Sequence, residues 1–303
     1  MRSEKTPQTV RTLDFSKMWK EVVVNVWKLI EILRFQFIYY TVITGRGSEF
    51  DRLREYEEGD DARLIDWNSY ARCSKPYIKV FKEERMLDIV FLVDVSTTMT
   101  LGTTEMVKNE YASLLTTTLA LVSQTLGDRV CLIAFADGIK AFVEPSLSIE
   151  TVLQIGKTLC DPQIYGGGKK WETVTHPVLE TFTPETFLFI ISDFIGEREC
   201  LYDFVLKSSN RFKGVAGIML RDPLDSYLPE GIGKIYLQDP STGEVMLVDA
   251  DKIRDEYNEK AKREEEEVHE EFLKCGVLFR KIYPTEKDIP GFILKLFGGK
   301  IWK

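Results

Sequence analysis

Asp88-Ile89-Val90-Phe91-Leu92-Val93-Asp94-Val95-Ser96-Thr97-Thr98 is the stretch on which the reading of this 303-residue chain turns. Between its two aspartates every side chain is apolar, the pattern of a strand buried on both faces of a parallel sheet. Its tail is polar and reads D-x-S-x-T. In open α/β sheets, ligands bind beyond the carboxyl ends of the strands, so a carboxylate and hydroxyls placed there are the first candidates for chemistry.

Working outward, the chain alternates between short apolar runs and helical periodicity. Glu105 to Leu126 reads as a helix, Arg129 to Phe135 as a strand, Ile139 to Val143 as an edge strand and Ile149 to Leu159 as a helix. Trp171 to Phe182 reads as another helix, Thr186 to Ser192 as a second strand of the buried type, Cys200 to Ser208 as a short helix and Gly214 to Leu220 as a strand. This alternation predicts an α/β fold with a doubly wound, mostly parallel sheet. Lys234 to Gln238 and Val245 to Val248 flank Pro240-Ser241-Thr242-Gly243, a hairpin signal. Lys252 to Lys274 predicts a charged helix, Val277 to Ile282 a last strand and Pro290 to Phe297 a closing helix.

Upstream, Val24, Trp27, Leu29, Ile30, Leu33, Phe37 and Ile38 recur at helical spacing, so a long helix is expected from Phe15 to Thr41. Lys28, Glu31, Arg34 and Gln36 interrupt its apolar character and argue against a membrane span. Gly47 to Arg85 mixes basic, acidic and aromatic residues as a compact, ion-paired connector. The expected organisation is an N-terminal helix with a small β-containing accessory region over residues 1–86. The α/β domain follows over 87–303, with a hairpin insertion near 233–249.

Composition narrows the function classes. The chain is 44% hydrophobic and 29% charged with a net charge of −8, a globular balance that disfavours a broad nucleic-acid footprint or an anionic-membrane role. Cys73, Cys131, Cys160, Cys200 and Cys275 are scattered and form no C-x-x-C pair. They read as reduced thiols, and with no secretory signal between Met1 and Thr12 the expected location is the cytoplasm. His176 and His269 are the only histidines, and no G-x-S-x-G accompanies them. Gly166-Gly167-Gly168-Lys169-Lys170 does not satisfy the phosphate-loop pattern G-x-x-x-x-G-K-[ST].

The second buried strand ends in Ile190-Ile191-Ser192-Asp193-Phe194. Asp94, Ser96, Thr98 and Asp193 are oxygen ligands suited to a hard cation such as Mg²⁺, with Ser96 and Thr98 coordinating directly and the aspartates holding metal-bound waters. The plainer reading is that Asp94 and Ser96 cap the next turn.

These residues resemble the metal-ion-dependent adhesion site of von Willebrand factor A domains. Gly47 to Tyr56, Gly59-Asp60-Asp61, Arg63-Leu64-Ile65-Asp66-Trp67 and Lys79 to Arg85 resemble, more specifically, the signature of the domain-of-unknown-function 58 family. That resemblance implies a von Willebrand factor A-like fold and a role beside MoxR-type AAA+ ATPases in protein assembly or maturation. It implies a non-enzymatic protein-interaction module in which an acidic residue of the partner completes the metal shell. It also marks Asp60, Asp61, Asp66 and Trp67 as a partner-binding surface. The competing reading is a metal-dependent hydrolase using the same aspartates, which needs a general base near the metal.

One departure from the adhesion-site pattern stands out. Gly168 occupies the position where a Gly-Gly-Thr loop supplies a third ligand. Thr173 replaces that ligand only if the loop is re-registered. Alternatively, Lys169 or Lys170 places an ammonium beside Asp94 and Asp193 and neutralises them without metal.

Overall fold

The computed structural model describes residues 10–31, 50–57, 66, 67, 69, 75–81, 86–196, 198–238 and 245–298. Six strands form the central sheet: β3 (Asp88–Asp94), β4 (Arg129–Phe135), β5 (Ile139–Ser146), β6 (Thr186–Ser192), β7 (Gly214–Leu220) and β10 (Leu278–Ile282). Their spatial order is β10-β7-β6-β3-β4-β5. All neighbours run parallel except the edge pair β4 and β5, which a tight turn joins antiparallel. The expected mixed α/β fold with a mostly parallel sheet is what the chain adopts.

Alternation along the strands sorts the core into two layers. Ile89, Phe91 and Val93 of β3 and Phe187, Phe189 and Ile191 of β6 point to one face. There they meet α1 (Phe15–Glu31), α2 (Lys108–Thr125), α3 (Ile149–Leu159) and α8 (Ile289–Gly298). Val90 and Leu92 of β3 and Leu188 and Ile190 of β6 point to the other face, toward α4 (Glu172–Thr181), α5 (Leu201–Arg211) and α7 (Ala250–Lys274). Every residue of β3 and of β6 is buried, which is why both runs are continuously apolar.

Several boundaries differ from the sequence expectation. α1 is described to Glu31, and the remainder of the expected helix, 32–41, lies outside the described residues. α2 begins at Lys108 and not at Glu105, because Thr103 bonds across to Asp222 through its backbone N–H at 2.7 Å and its hydroxyl at 2.6 Å, holding the preceding segment as a loop. The hydroxyl-rich segment after β3 forms a 3₁₀ turn, Thr97–Thr100. α5 runs past Ser208 to Arg211, and α7 starts two residues before Lys252.

β8 (Lys234–Gln238) and β9 (Val245–Asp249) pair antiparallel as the expected hairpin, whose turn at 239–244 is outside the described residues. β1 (Phe50–Glu55) and β2 (Tyr77–Phe81) form a second antiparallel ribbon in the accessory region. α1 does not stand apart with that region. Its stripe of Met18, Val22, Val26 and Leu29 is sealed into the core of the main sheet. Among the described residues no helix is long and apolar enough to cross a membrane.

Candidate functional site

β3 and β6 are neighbours, but the chain leaves them in opposite directions. From β3 it crosses through α2 to β4, and from β6 it crosses through α5 to β7. Their carboxyl ends therefore open the crevice at which doubly wound sheets bind ligands. Asp94 and Asp193 both stand in it, and both are fully buried.

Asp94 is held from two sides. Its Oδ1 accepts the backbone N–H of Ser96 at 2.8 Å, and its Oδ2 accepts the Ser192 hydroxyl at 2.6 Å. Ser96 and Thr98 lie together, their hydroxyl oxygens 3.2 Å apart. Asp193 is aimed by a local contortion: the next residue, Phe194, has φ +52°, a left-handed conformation that costs a non-glycine residue about 1–2 kcal/mol. Stacking of the Phe194 ring on Trp171, at 5.7 Å between centroids, and its edge contact with Phe272 hold it there. The turn lets the Ile195 N–H donate to Asp193 Oδ1 at 2.9 Å.

The third component comes from the glycine loop. Gly166 and Gly167 have φ of +133° and +83°, open to glycine and unfavourable to other residues. The loop binds back onto the end of β3 through Gly166 N–H to the Val95 carbonyl at 2.9 Å and Thr97 N–H to the Gly167 carbonyl at 3.1 Å. That clamp turns Lys169 inward while Gly168 and Lys170 remain exposed. Lys169 Nζ sits between the two aspartates, 2.7 Å from Asp94 Oδ2 and 2.6 Å from Asp193 Oδ1, and donates to the Ile195 carbonyl at 3.2 Å.

A second ammonium continues the line. Lys108 Nζ lies 3.0 Å from Asp193 Oδ2 and 2.7 Å from Asp225 Oδ2. The crevice thus holds an alternating chain of charges, Asp94, Lys169, Asp193, Lys108 and Asp225. Asp225 belongs to α6 (Pro223–Ser226), a single turn after β7, where its carboxylate also accepts the Asp222 N–H at 2.9 Å. Burial works to raise the carboxyl of Asp193, but Lys108 and Lys169 outweigh it and hold that group far below the usual carboxylate range. Burial likewise works to lower both ammoniums. Asp193 and Asp94 around Lys169, and Asp193 and Asp225 around Lys108, hold them above the ordinary lysine value.

Of the sequence-expected ligands, Asp94 and Asp193 therefore meet, but around an ammonium, while the Ser96 and Thr98 hydroxyls contact each other. A divalent cation at this position needs open carboxylate oxygens. Here one oxygen of each carboxylate is instead bonded to the Lys169 ammonium, which fills the space between them. The residues in this arrangement do not fit a metal ion. Among the described residues no group of three or more His, Cys, Asp or Glu side chains is placed to hold one.

Thr173 does not join the cluster, because its hydroxyl donates to the Lys170 carbonyl at 2.7 Å. Lys170 faces outward, where its charge helps to lower the carboxyl of Asp137 behind the larger effect of Lys140. In the accessory region, Asp66 is tied to β2 through its N–H to the Tyr77 carbonyl at 2.8 Å, and it accepts the Ser69 hydroxyl at 2.7 Å. Trp67 is exposed, and Asp60 and Asp61 lie outside the described residues.

Lys108, Ser192, Asp222 and Asp225 complete the site, although sequence reasoning singled out none of them. Asp222 and Asp225 follow β7 as Asp193 follows β6, so the strand-end rule was the available signal. Lys108 opens a helix, where a cation opposes the macrodipole, and that local conflict was its signal.

Known proteins resemble the chain at several levels. An uncharacterized protein of Mycobacterium bovis is 28% identical over 243 residues, covering 78% of this chain and 74% of that protein. An uncharacterized protein of Mycobacterium tuberculosis matches with the same figures. Among solved structures, the conserved hypothetical protein BatB of Bacteroides thetaiotaomicron superposes with a TM-score of 0.49 at 15% identity, covering 69% of this chain and 97% of that one. An aerotolerance-related membrane protein of Bacteroides fragilis gives 0.47 at 16%, covering 70% and 98%. The family model described as protein of unknown function DUF58 matches residues 52–267, and the chain belongs to that family.

Proposed function

We propose that the chain is a protein-interaction module of von Willebrand factor A type that acts by contact, without turnover, beside a MoxR-type AAA+ ATPase in the cytoplasm. Two features support the A-type assignment. The sheet order β5-β4-β3-β6-β7-β10 has a single antiparallel edge strand, and D-x-S-x-T closes the central strand β3. The ATPase partner follows from the family resemblance.

One observation carries the interaction reading: the charged groups of the crevice bond to one another. Asp94, Lys169, Asp193, Lys108 and Asp225 come from five separate segments, and their contacts hold those segments in one geometry. What this leaves facing outward is a formed rim of Thr97, Thr100, Leu101, Gly168 and Lys170, with Leu101 exposed at 38%. A preformed surface with an apolar point and an exposed cation suits protein contact, because little ordering of the backbone is required on binding. In this reading the contact does not run through a partner carboxylate on a metal, since Lys169 holds that position.

Pull-down of a MoxR-type ATPase from the same genome tests this. Leu101→Asp with Lys170→Glu is expected to weaken capture at least tenfold while far-UV circular dichroism stays unchanged. Undiminished capture contradicts the rim as the contact surface. Phosphatase or phosphodiesterase turnover that requires Asp94 contradicts a non-enzymatic role.

A further inference from the structure

The Lys169 ammonium does at this site what a bound cation would do. It neutralises two buried carboxylates on adjacent strand ends, and its three N–H groups are matched by three oxygens: Asp94 Oδ2 at 2.7 Å, Asp193 Oδ1 at 2.6 Å and the Ile195 carbonyl at 3.2 Å. Lys169 is 6% exposed although the residues on either side of it are exposed, so the loop is built to deliver this one side chain. Gly167 is part of that delivery. A Cβ there would come within 2.9 Å of the Asp137 carboxylate, at a backbone φ of +83° that other residues rarely adopt.

The surroundings hold more oxygen than an ammonium uses. The hydroxyls of Ser96 and Thr98 lie 3.2 Å apart at the end of the same strand as Asp94, and neither donates to Lys169 or to Asp193. Two carboxylates and two hydroxyls are a hard-cation donor set once the ammonium is removed.

We propose that Lys169 is a resident, covalently attached cation that makes this crevice independent of divalent metal, and that removing its ammonium uncovers a site for a hard divalent cation on Asp94, Asp193, Ser96 and Thr98. The inference deepens the proposed function by stating that contact at this crevice needs no metal. It rests on that reading for its biological meaning alone, because its test involves no partner.

The test uses the full chain, stripped with chelator, titrated with Mn²⁺ by calorimetry and unfolded thermally with and without Mn²⁺. Wild type is expected to show no saturable binding up to millimolar Mn²⁺ and no change in Tm. Lys169→Ser is expected to have a lower Tm in chelator, to bind one Mn²⁺ per chain and to recover Tm when bound, since binding to the folded state alone stabilises it. Lys169→Ser with Asp94→Asn loses that binding, and Lys169→Arg, which keeps the charge, does not bind.

Saturable Mn²⁺ binding by wild type that Asp94→Asn abolishes would overturn the inference, as would a folded Lys169→Ser that binds nothing. Should Lys169→Ser unfold in chelator, its refolding reads the same site: recovery in Mn²⁺ supports the inference and recovery in neither condition contradicts it. Failure to capture the ATPase leaves these results standing, while metal binding by wild type leaves the rim standing, so the two readings fail separately.

Discussion

Lys169 and Asp193 show how a buried charge is made tolerable. An isolated ion in a protein interior costs several kcal/mol, and pairing offsets that cost only when the geometry is close and the remaining hydrogen-bonding groups are matched. Here each oxygen of Asp193 meets an ammonium within 3.0 Å, and its Oδ1 also accepts a backbone N–H. Removing one member leaves the rest uncompensated, so Lys169→Met is expected to lose about 3–5 kcal/mol in urea unfolding at pH 7.

The pH dependence follows from the directions of the shifts. Asp193 is lowered in the fold, so its contribution is complete above the unfolded carboxylate value of about 3.9 and is lost as pH falls below it. Lys108 and Lys169 are raised, so theirs is complete below about 10.4 and is lost as pH rises beyond it. The gap between wild type and Lys169→Met should therefore be full at pH 7 and narrow by pH 3. A gap of equal size at pH 3 and 7 would show that the ion chain is not its source.

At the level of elements, legibility depended on whether an element's role is local. β3 and β6 were readable because burial on both faces leaves a continuous apolar run, and a carboxylate directly after such a run marks the ligand end of the sheet. Asp94, Ser96, Thr98 and Asp193 followed from that rule, and Gly168 pointed to Lys169 as a competitor for the same space. The start of α2 was not readable, because a bond from Thr103 to Asp222, 119 residues away, decides it. Lys108 was hidden for the same reason, its partners Asp193 and Asp225 lying 85 and 117 residues along the chain.

α4 makes a further test of how elements support the site. Trp171, two residues after Lys169, is 1% exposed and packs on Phe135 at 4.9 Å, Phe194 at 5.7 Å and Phe204 at 6.3 Å between ring centroids. It anchors the glycine loop on one side and the left-handed turn at Phe194 on the other. Trp171→Ala is expected to cost about 3–5 kcal/mol by urea unfolding. A loss below 1 kcal/mol would mean that this aromatic stack does not hold the loop.

Across the whole molecule, two features separate what sequence periodicity conveys from what assembly adds. The stripe on α1 announces a face to bury, but not that the face belongs to the core beneath α2, α3 and α8. The family resemblance carried by the segment from Glu49 to Trp67 was legible, and the family match over residues 52–267 bears it out. The arrangement of Asp94 and Asp193 was set by one loop, in which an inward lysine places its ammonium where the resemblance leads one to expect a metal ion.

Crystals of the wild-type chain soaked in Mn²⁺, with anomalous diffraction recorded at the manganese edge, test that claim most directly. The account predicts no anomalous peak between Asp94 and Asp193, with Lys169 Nζ within hydrogen-bonding distance of both. A peak at that position with Lys169 swung out to solvent would contradict it.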